Sequence, residues 1–99
     1  MTKSELTAKM QENSAYLSGK TVKLDFGSDG TIMMDGKNNQ VTEADGDADT
    51  TIKISWADWQ AMADGQLDGM TAFMTGKLKV EGDMSNAMQL QGVLSKLRG

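Results

Sequence analysis

Apolar and polar positions alternate along this chain with two different periods. Between residues 3 and 18, Leu6, Met10 and Leu17 with Ala8 and Ala15 fall among polar residues in a weak amphipathic pattern, which predicts a short helix closed by Ser18-Gly19. The period then drops to two. Val22, Leu24 and Phe26 alternate with Lys23 and Asp25, and Gly27-Ser28-Asp29-Gly30 reads as a turn into a second strand carrying Ile32 and Met34. A further turn at Asp35-Gly36-Lys37-Asn38-Asn39 precedes a polar strand at residues 41–44 with a wet face. Asp45-Gly46-Asp47-Ala48-Asp49 interrupts it, and Thr51, Ile52, Lys53 and Ile54 resume the alternation, so four strands read as a meander.

Helical spacing then returns. Ser55 is placed to cap a helix with Trp56, Trp59, Met62 and Ala63, which Gly65 ends. Asp68-Gly69 opens a second short helix with Met70, Phe73 and Met74 at i, i+3 and i+4, stopped by Gly76. Leu78 and Val80 alternate with Lys77, Lys79 and Glu81 in a fifth strand. After Gly82-Asp83, Met84, Ala87, Met88, Leu90, Val93, Leu94 and Leu97 form the strongest helical pattern in the chain. Strands cluster together and helices cluster together, which predicts an α+β fold with antiparallel hairpins first and a crossover placing the fifth strand. With no proline, no internal repeat and no linker-like stretch, residues 1–99 read as a single domain.

Composition narrows the chemistry. Hydrophobic residues make up 38% of the chain, enough for a core, and the net charge of −4 gives no reason to favour a phosphate backbone or an anionic membrane as partner. Cysteine and histidine are both absent, which removes thiol nucleophiles, disulfides, zinc–thiolate sites and the commonest general base near neutral pH. The longest strongly apolar run, Ile32-Met33-Met34, is far short of the ~20 residues of a membrane-spanning helix. The first residues hold no signal-type apolar stretch, so the chain reads as soluble and cytoplasmic.

Individual motifs point the same way. Asp45, Asp47 and Asp49 reproduce the opening of a calcium loop, but Thr50 stands where a glycine is needed and Trp56 where a bidentate glutamate is needed. The segment reads as a solvated loop, with no metal site. Lys77 and Lys79 read as a solvated strand face, the sharper alternative being contact with a ligand headgroup or acyl carrier. Ser95-Lys96-Leu97 matches the peroxisomal address, yet Arg98-Gly99 follow it and the signal is read only at a free terminus. No phosphate-cradling loop, dinucleotide fingerprint or nucleophile elbow is present. The expectation is a non-enzymatic protein without a cofactor.

The excess of methionine, nine residues, is the informative anomaly. Met62, Met70, Met74, Met84 and Met88 lie in the last three predicted helices beside Trp59 and Phe73. Methionine adapts to irregular shapes, and so serves both ordinary cores and surfaces that accept varied ligands; periodicity alone favours the core.

The C-terminal half decides between them by resemblance. "GDADTTIKIS" leading into "DW", then "DGMTAFMTGKLKVEGDMSNAMQLQGVL", over roughly residues 45–97, is similar to the signature region of the sterol carrier protein 2 family. "TVKLDF" and "GTIMMDG" in the N-terminal half are compatible with that family's first hairpin. The resemblance implies a five-stranded mixed, mostly antiparallel sheet covered on one face by helices, with an apolar tunnel for fatty acyl chains, sterols or similar lipids that the last helix helps close. Carried over by position, it marks Ile52, Ile54, Phe73, Met74, Leu78, Val80, Met84, Met88 and Leu94 as ligand-facing, and Trp59 and Met62 join them from the preceding helix. Gly76, Gly82 and Asp83 would serve as helix stops and an N-cap. The chain departs from longer relatives in its brief N-terminal region and in lacking a usable peroxisomal terminus.

An empty tunnel is costly. A dry cavity of about 150 Å³ costs about 3.6 kcal/mol against a total stability of ~5–15 kcal/mol. The cavity is therefore expected to hold lipid, to admit water, or to be partly filled by methionine rotamers. The leading function is carriage of a fatty acid, acyl-CoA, sterol or similar apolar molecule. The alternative is an interaction or dimerisation module using the Met/Trp-rich helical face.

Overall fold

The computed structural model describes the backbone of residues 2–98, and the side chains of that stretch other than those at 90, 91 and 94–98. Helix α1 spans Lys3–Glu12 and starts with a reciprocal cap: Thr2 Oγ1 accepts from the Glu5 N–H at 3.1 Å, while the Glu5 carboxylate accepts from the Thr2 N–H at 3.0 Å. It stops earlier than the Ser18-Gly19 boundary expected from the sequence. Ser14 adopts φ +52°, and the N–H groups of Ser14 and Ala15 turn back to the carbonyls of Gln11 and Met10. This is a Schellman-type close, and Asn13 assists it by donating its side-chain amide to the Lys9 carbonyl at 2.8 Å. Ala15 and Leu17 are buried all the same, as parts of a packed connection.

Strands β1 (Thr21–Asp25), β2 (Thr31–Asp35) and β3 (Gln40–Thr42) follow as antiparallel neighbours, joined first by the short 3₁₀ turn Gly27–Asp29. Strand β4 (Thr50–Ile54) does not continue the meander. It crosses back to lie parallel to β1, and β5 (Leu78–Gly82) pairs antiparallel with β4, giving the order β3-β2-β1-β4-β5. The crossover expected at the fifth strand thus occurs at the fourth. The physical reason lies in burial. β3 is three residues long with one buried apolar side chain, Val41, and cannot shield a strand as apolar as β4, whose Thr50, Ile52 and Ile54 are all buried between β1 and β5.

Two acidic residues of the linking loop hold this arrangement. Asp49 accepts from the Thr21 N–H at 3.0 Å and returns its own N–H to Thr21 Oγ1 at 2.9 Å, aligning the starts of β4 and β1. Asp45 pairs with Lys23 at 3.1 Å. The segment that resembled a calcium loop therefore works as a staple for the crossover.

Register places the apolar side chains on one face in three rows: Val41-Met34-Val22-Thr50-Gly82, then Ile32-Leu24-Ile52-Val80, then Ile54-Leu78. Four helices cover that face: α1 over β3, α2 (Trp56–Ala63) against α4, α3 (Gly69–Met74) along β5, and α4 (Met84–Arg98) across β4 and β5. Among the described residues no helix is long and apolar enough to cross a membrane.

Candidate functional site

Short, well-capped helices build the site at the β4–β5 end of the sheet. Ser55 Oγ accepts from the Asp58 N–H and Asp68 Oδ2 accepts from the Thr71 N–H, each at 3.1 Å, so α2 and α3 begin where the sequence signals placed them. Phe26 stacks edge-on to Trp56, with ring centroids 5.3 Å apart, and lies 6.4 Å from Trp59, which ties α2 to the end of β1. Helix α3 is only six residues long before Gly76, at φ +79°, turns the chain into β5.

Helix α4 is fixed at its start by polar contacts, buried at Thr50 and Asn86 and exposed at Asp83 and Ser85. Thr50 Oγ1 donates to the Asp83 carbonyl at 2.7 Å and accepts from the Asn86 side-chain amide at 3.1 Å, while Asp83 Oδ1 takes the Ser85 N–H at 2.9 Å. Gly82, at φ +93°, faces Thr50 across the strand pair, and a Cβ there would strike the Asp49 carbonyl oxygen. Glycine is the residue that lets the strand end close against the loop.

Together these elements leave an apolar groove of about 330 Å³. Its floor is Ile52, Leu78 and Val80 from the sheet; Met62 enters from α2, Gly69, Met70 and Phe73 from α3, and Met84, Ala87 and Met88 from α4. Met70, Phe73, Met84 and Met88 are exposed, so among the described side chains the mouth of the groove is open where a closed tunnel was expected. Among the described residues, none that lines the groove carries a charge or a titratable group. The carboxylates held below their ordinary pKa lie elsewhere, in caps, turns and the crossover loop: Glu5 through the Thr2 N–H, Asp35 through the Asn38 amide, Asp45 through the Lys23 ammonium, Asp49 through the Thr21 N–H and Asp83 through the Ser85 hydroxyl.

Of the residues marked from the sequence, Ile52, Met62, Phe73, Leu78, Val80, Met84 and Met88 meet in the groove. Ile54 and Trp59 do not; both are buried in the core, with the Trp59 ring beside Phe26. Met74 is exposed to solvent and does not line the groove, and the Leu94 side chain falls outside the described residues. Gly69, Met70 and Ala87 line the groove without having been marked, although Met70 and Ala87 belong to the helical patterns read above. Gly69 carried no signal, since what it contributes is space. The indole Nε1–H of Trp59 is buried without a hydrogen-bond partner, a cost of about 1–3 kcal/mol. Lys77 and Lys79 are exposed, with Lys79 on the open sheet face directly opposite Lys53.

Comparison with known proteins agrees with this geometry. Residues 3–95 match the model of the SCP-2 sterol transfer family. A fatty acid-binding protein of Yarrowia lipolytica is 37% identical over 79 residues, covering 78% of this chain and 57% of that protein. Sterol carrier protein 2 of Bos taurus is 37% identical over 70 residues, covering 68% of this chain and 13% of that protein. The chain thus spans less than two thirds of the length of either relative. Sterol carrier protein 2 of Aedes aegypti, solved with palmitate, superposes with a TM-score of 0.77 at 20% identity, over 93% of each chain, and shares the fold.

Proposed function

The chain belongs to the SCP-2 sterol transfer family, and from that premise we propose that it binds and carries an apolar ligand, a fatty acid, acyl-CoA, sterol or similar lipid, in the groove between β4–β5 and helices α3 and α4. One observation carries the reading. The described lining of the groove is uncharged and almost wholly apolar, with no described group to activate a substrate, and it offers a long hydrocarbon a place to lose its water contact, at about 25 cal/mol per Å² covered. The binding residues in this reading are Ile52, Met62, Phe73, Leu78, Val80, Met84 and Met88, together with Met70 and Ala87, which line the same groove.

Opening to solvent removes the cost of an empty closed cavity, so the unloaded state is tolerated and the ligand has a route in and out. The reading includes a cytoplasmic setting, no nucleic-acid partner and no catalytic step. Relatives named for fatty acid binding and sterol carriage, and a structural neighbour holding palmitate, support it.

A second reading, docking of a protein partner or a second copy, draws on the exposed Met70, Phe73, Met74, Met84 and Met88. Of its two tryptophans, Trp59 is fully buried and Trp56 is half-buried against the core, so the exposed part of this face is chiefly methionine and Phe73. Native mass spectrometry of gently purified protein, with organic extraction and palmitate titration, separates the two. A discrete lipid mass or palmitate uptake by a monomer upholds the carrier. A bare protein that refuses palmitate, acyl-CoA and cholesterol and runs as a dimer in light scattering supports the module.

A further inference from the structure

The eight methionines among the described residues divide sharply by position. Met10, Met33, Met34 and Met62 are buried, whereas Met70, Met74, Met84 and Met88 are 56%, 77%, 44% and 66% exposed. The exposed four form two i, i+4 pairs, one on α3 and one on α4, the two helices that rim the groove. Three of them, Met70, Met84 and Met88, line the groove, and Met74 does not. Thioether oxidation follows exposure. Among these eight, a peroxide would therefore meet the groove methionines and Met74 before the buried four, with Met74 as a built-in reference outside the groove.

We propose that the rim methionines are an oxidation site through which peroxide lowers the affinity of the groove for apolar ligands, a proposal that rests on the carrier reading above. The sulfur lone pair attacks one peroxide oxygen, the O–O bond breaks, and the thioether becomes a sulfoxide while the peroxide is reduced to water. Sulfur loses two electrons and the peroxide gains them, so no further reactant is needed. Methionine sulfoxide carries a strong acceptor oxygen. Among the described residues, none that lines the groove offers a charged or hydroxyl donor to it, so a ligand that covers the rim strips that oxygen of water without replacing the hydrogen bond. Before oxidation the same side chains are apolar and flexible and cover the ligand well. Methionine sulfoxide reductases reverse the change, which makes the site a switch as well as a lesion.

The test uses the whole delipidated chain, dilute hydrogen peroxide, peptide mass mapping and palmitate titration, with far-UV circular dichroism to follow folding. Oxidation is expected at Met70, Met74, Met84 and Met88 well before Met10, Met33, Met34 and Met62. Palmitate affinity should fall at least about tenfold, the effect of one unpaired buried acceptor, and recover after treatment with both sulfoxide reductases. Preloading with palmitate should slow oxidation at Met70, Met84 and Met88 and leave Met74 unchanged. Met74→Leu protein should lose affinity on oxidation to the same extent as the parent. Even oxidation of all methionines, unchanged affinity with the rim fully oxidised, or loss of affinity only where the fold itself is lost would each overturn the proposal. If the unoxidised chain takes up no palmitate, acyl-CoA or cholesterol, the carrier reading falls and this proposal falls with it; binding that survives oxidation removes this proposal alone.

Discussion

One sheet face is covered twice, and the two covers differ. At the β3–β2–β1 end, α1 lays Leu6 and Met10 into a closed core with Ile32, Met34 and Val41. At the β4–β5 end, α3 and α4 cover Ile52, Leu78 and Val80 but, among the described side chains, leave a groove of about 330 Å³ open above them. Both covers are amphipathic helices over aliphatic strands, so hydrophobic pattern is not what separates them. The difference is in the fit. A ten-residue helix with a reciprocal cap sits flush on a short strand, whereas a six-residue α3 and the small residues Gly69 and Ala87 leave volume that flexible methionines only border.

The largest contrast is expected between Trp59 and Met88. Trp59→Ala removes the biggest sealed side chain and should lower stability by about 3–5 kcal/mol in urea unfolding. Met88→Ala, at an exposed rim position, should stay within about 0.5 kcal/mol of the parent in the same assay. Equal losses would mean that the groove end is core after all. Gly82→Ala follows, because its left-handed φ and the approach of the Asp49 carbonyl oppose any Cβ; a loss of about 1–3 kcal/mol is expected, read from the thermal midpoint. Asn86→Ala takes away the amide that Thr50 accepts from and should cost about 1–2 kcal/mol, loosening the start of α4 and so the groove wall. An effect on palmitate affinity no greater than that of a surface control such as Lys9→Ala would show that α4 placement does not shape the groove.

Binding and pH sharpen the comparison further. Met88→Ala should weaken palmitate about tenfold, since covering a methionine side chain contributes roughly 1.5 kcal/mol. Asp49 and Asp83 are held below their ordinary pKa by the Thr21 N–H and the Ser85 hydroxyl, so their stabilisation is complete above the ordinary carboxylate value and is lost as pH falls through the lowered one. Stability should therefore hold down to about pH 4 and decline below it. Uptake of an uncharged apolar dye should be flat from about pH 5 to 9. A step in that range would reveal a titratable group at the groove.

Much of this was readable in advance. Alternation located β1, β2, β4 and β5, helical spacing located α2, α3 and α4, and Ser55 and Asp68 capped the helices that their positions predicted. Seven of the marked residues meet in the groove for the same reason, since strand and helix periods put them on inward faces. The misplacements share a cause. Ile54 and Trp59 have the same local pattern as Ile52 and Met62, and nothing in a period says which inward residue meets another side chain and which meets a void.

What the sequence determined by itself is the set of elements, the face each turns inward and the uncharged character of the site, because these depend on residues a few positions apart. Tertiary structure alone decided that β4 joins β1 instead of β3, that Asp45 and Asp49 staple a crossover, and that α3 is too short to close its end of the sheet. Those outcomes depend on pairings between segments 22 to 36 residues apart, such as Lys23 with Asp45 and Thr50 with Asn86, where shape and volume compete across the whole core and no local period carries the answer.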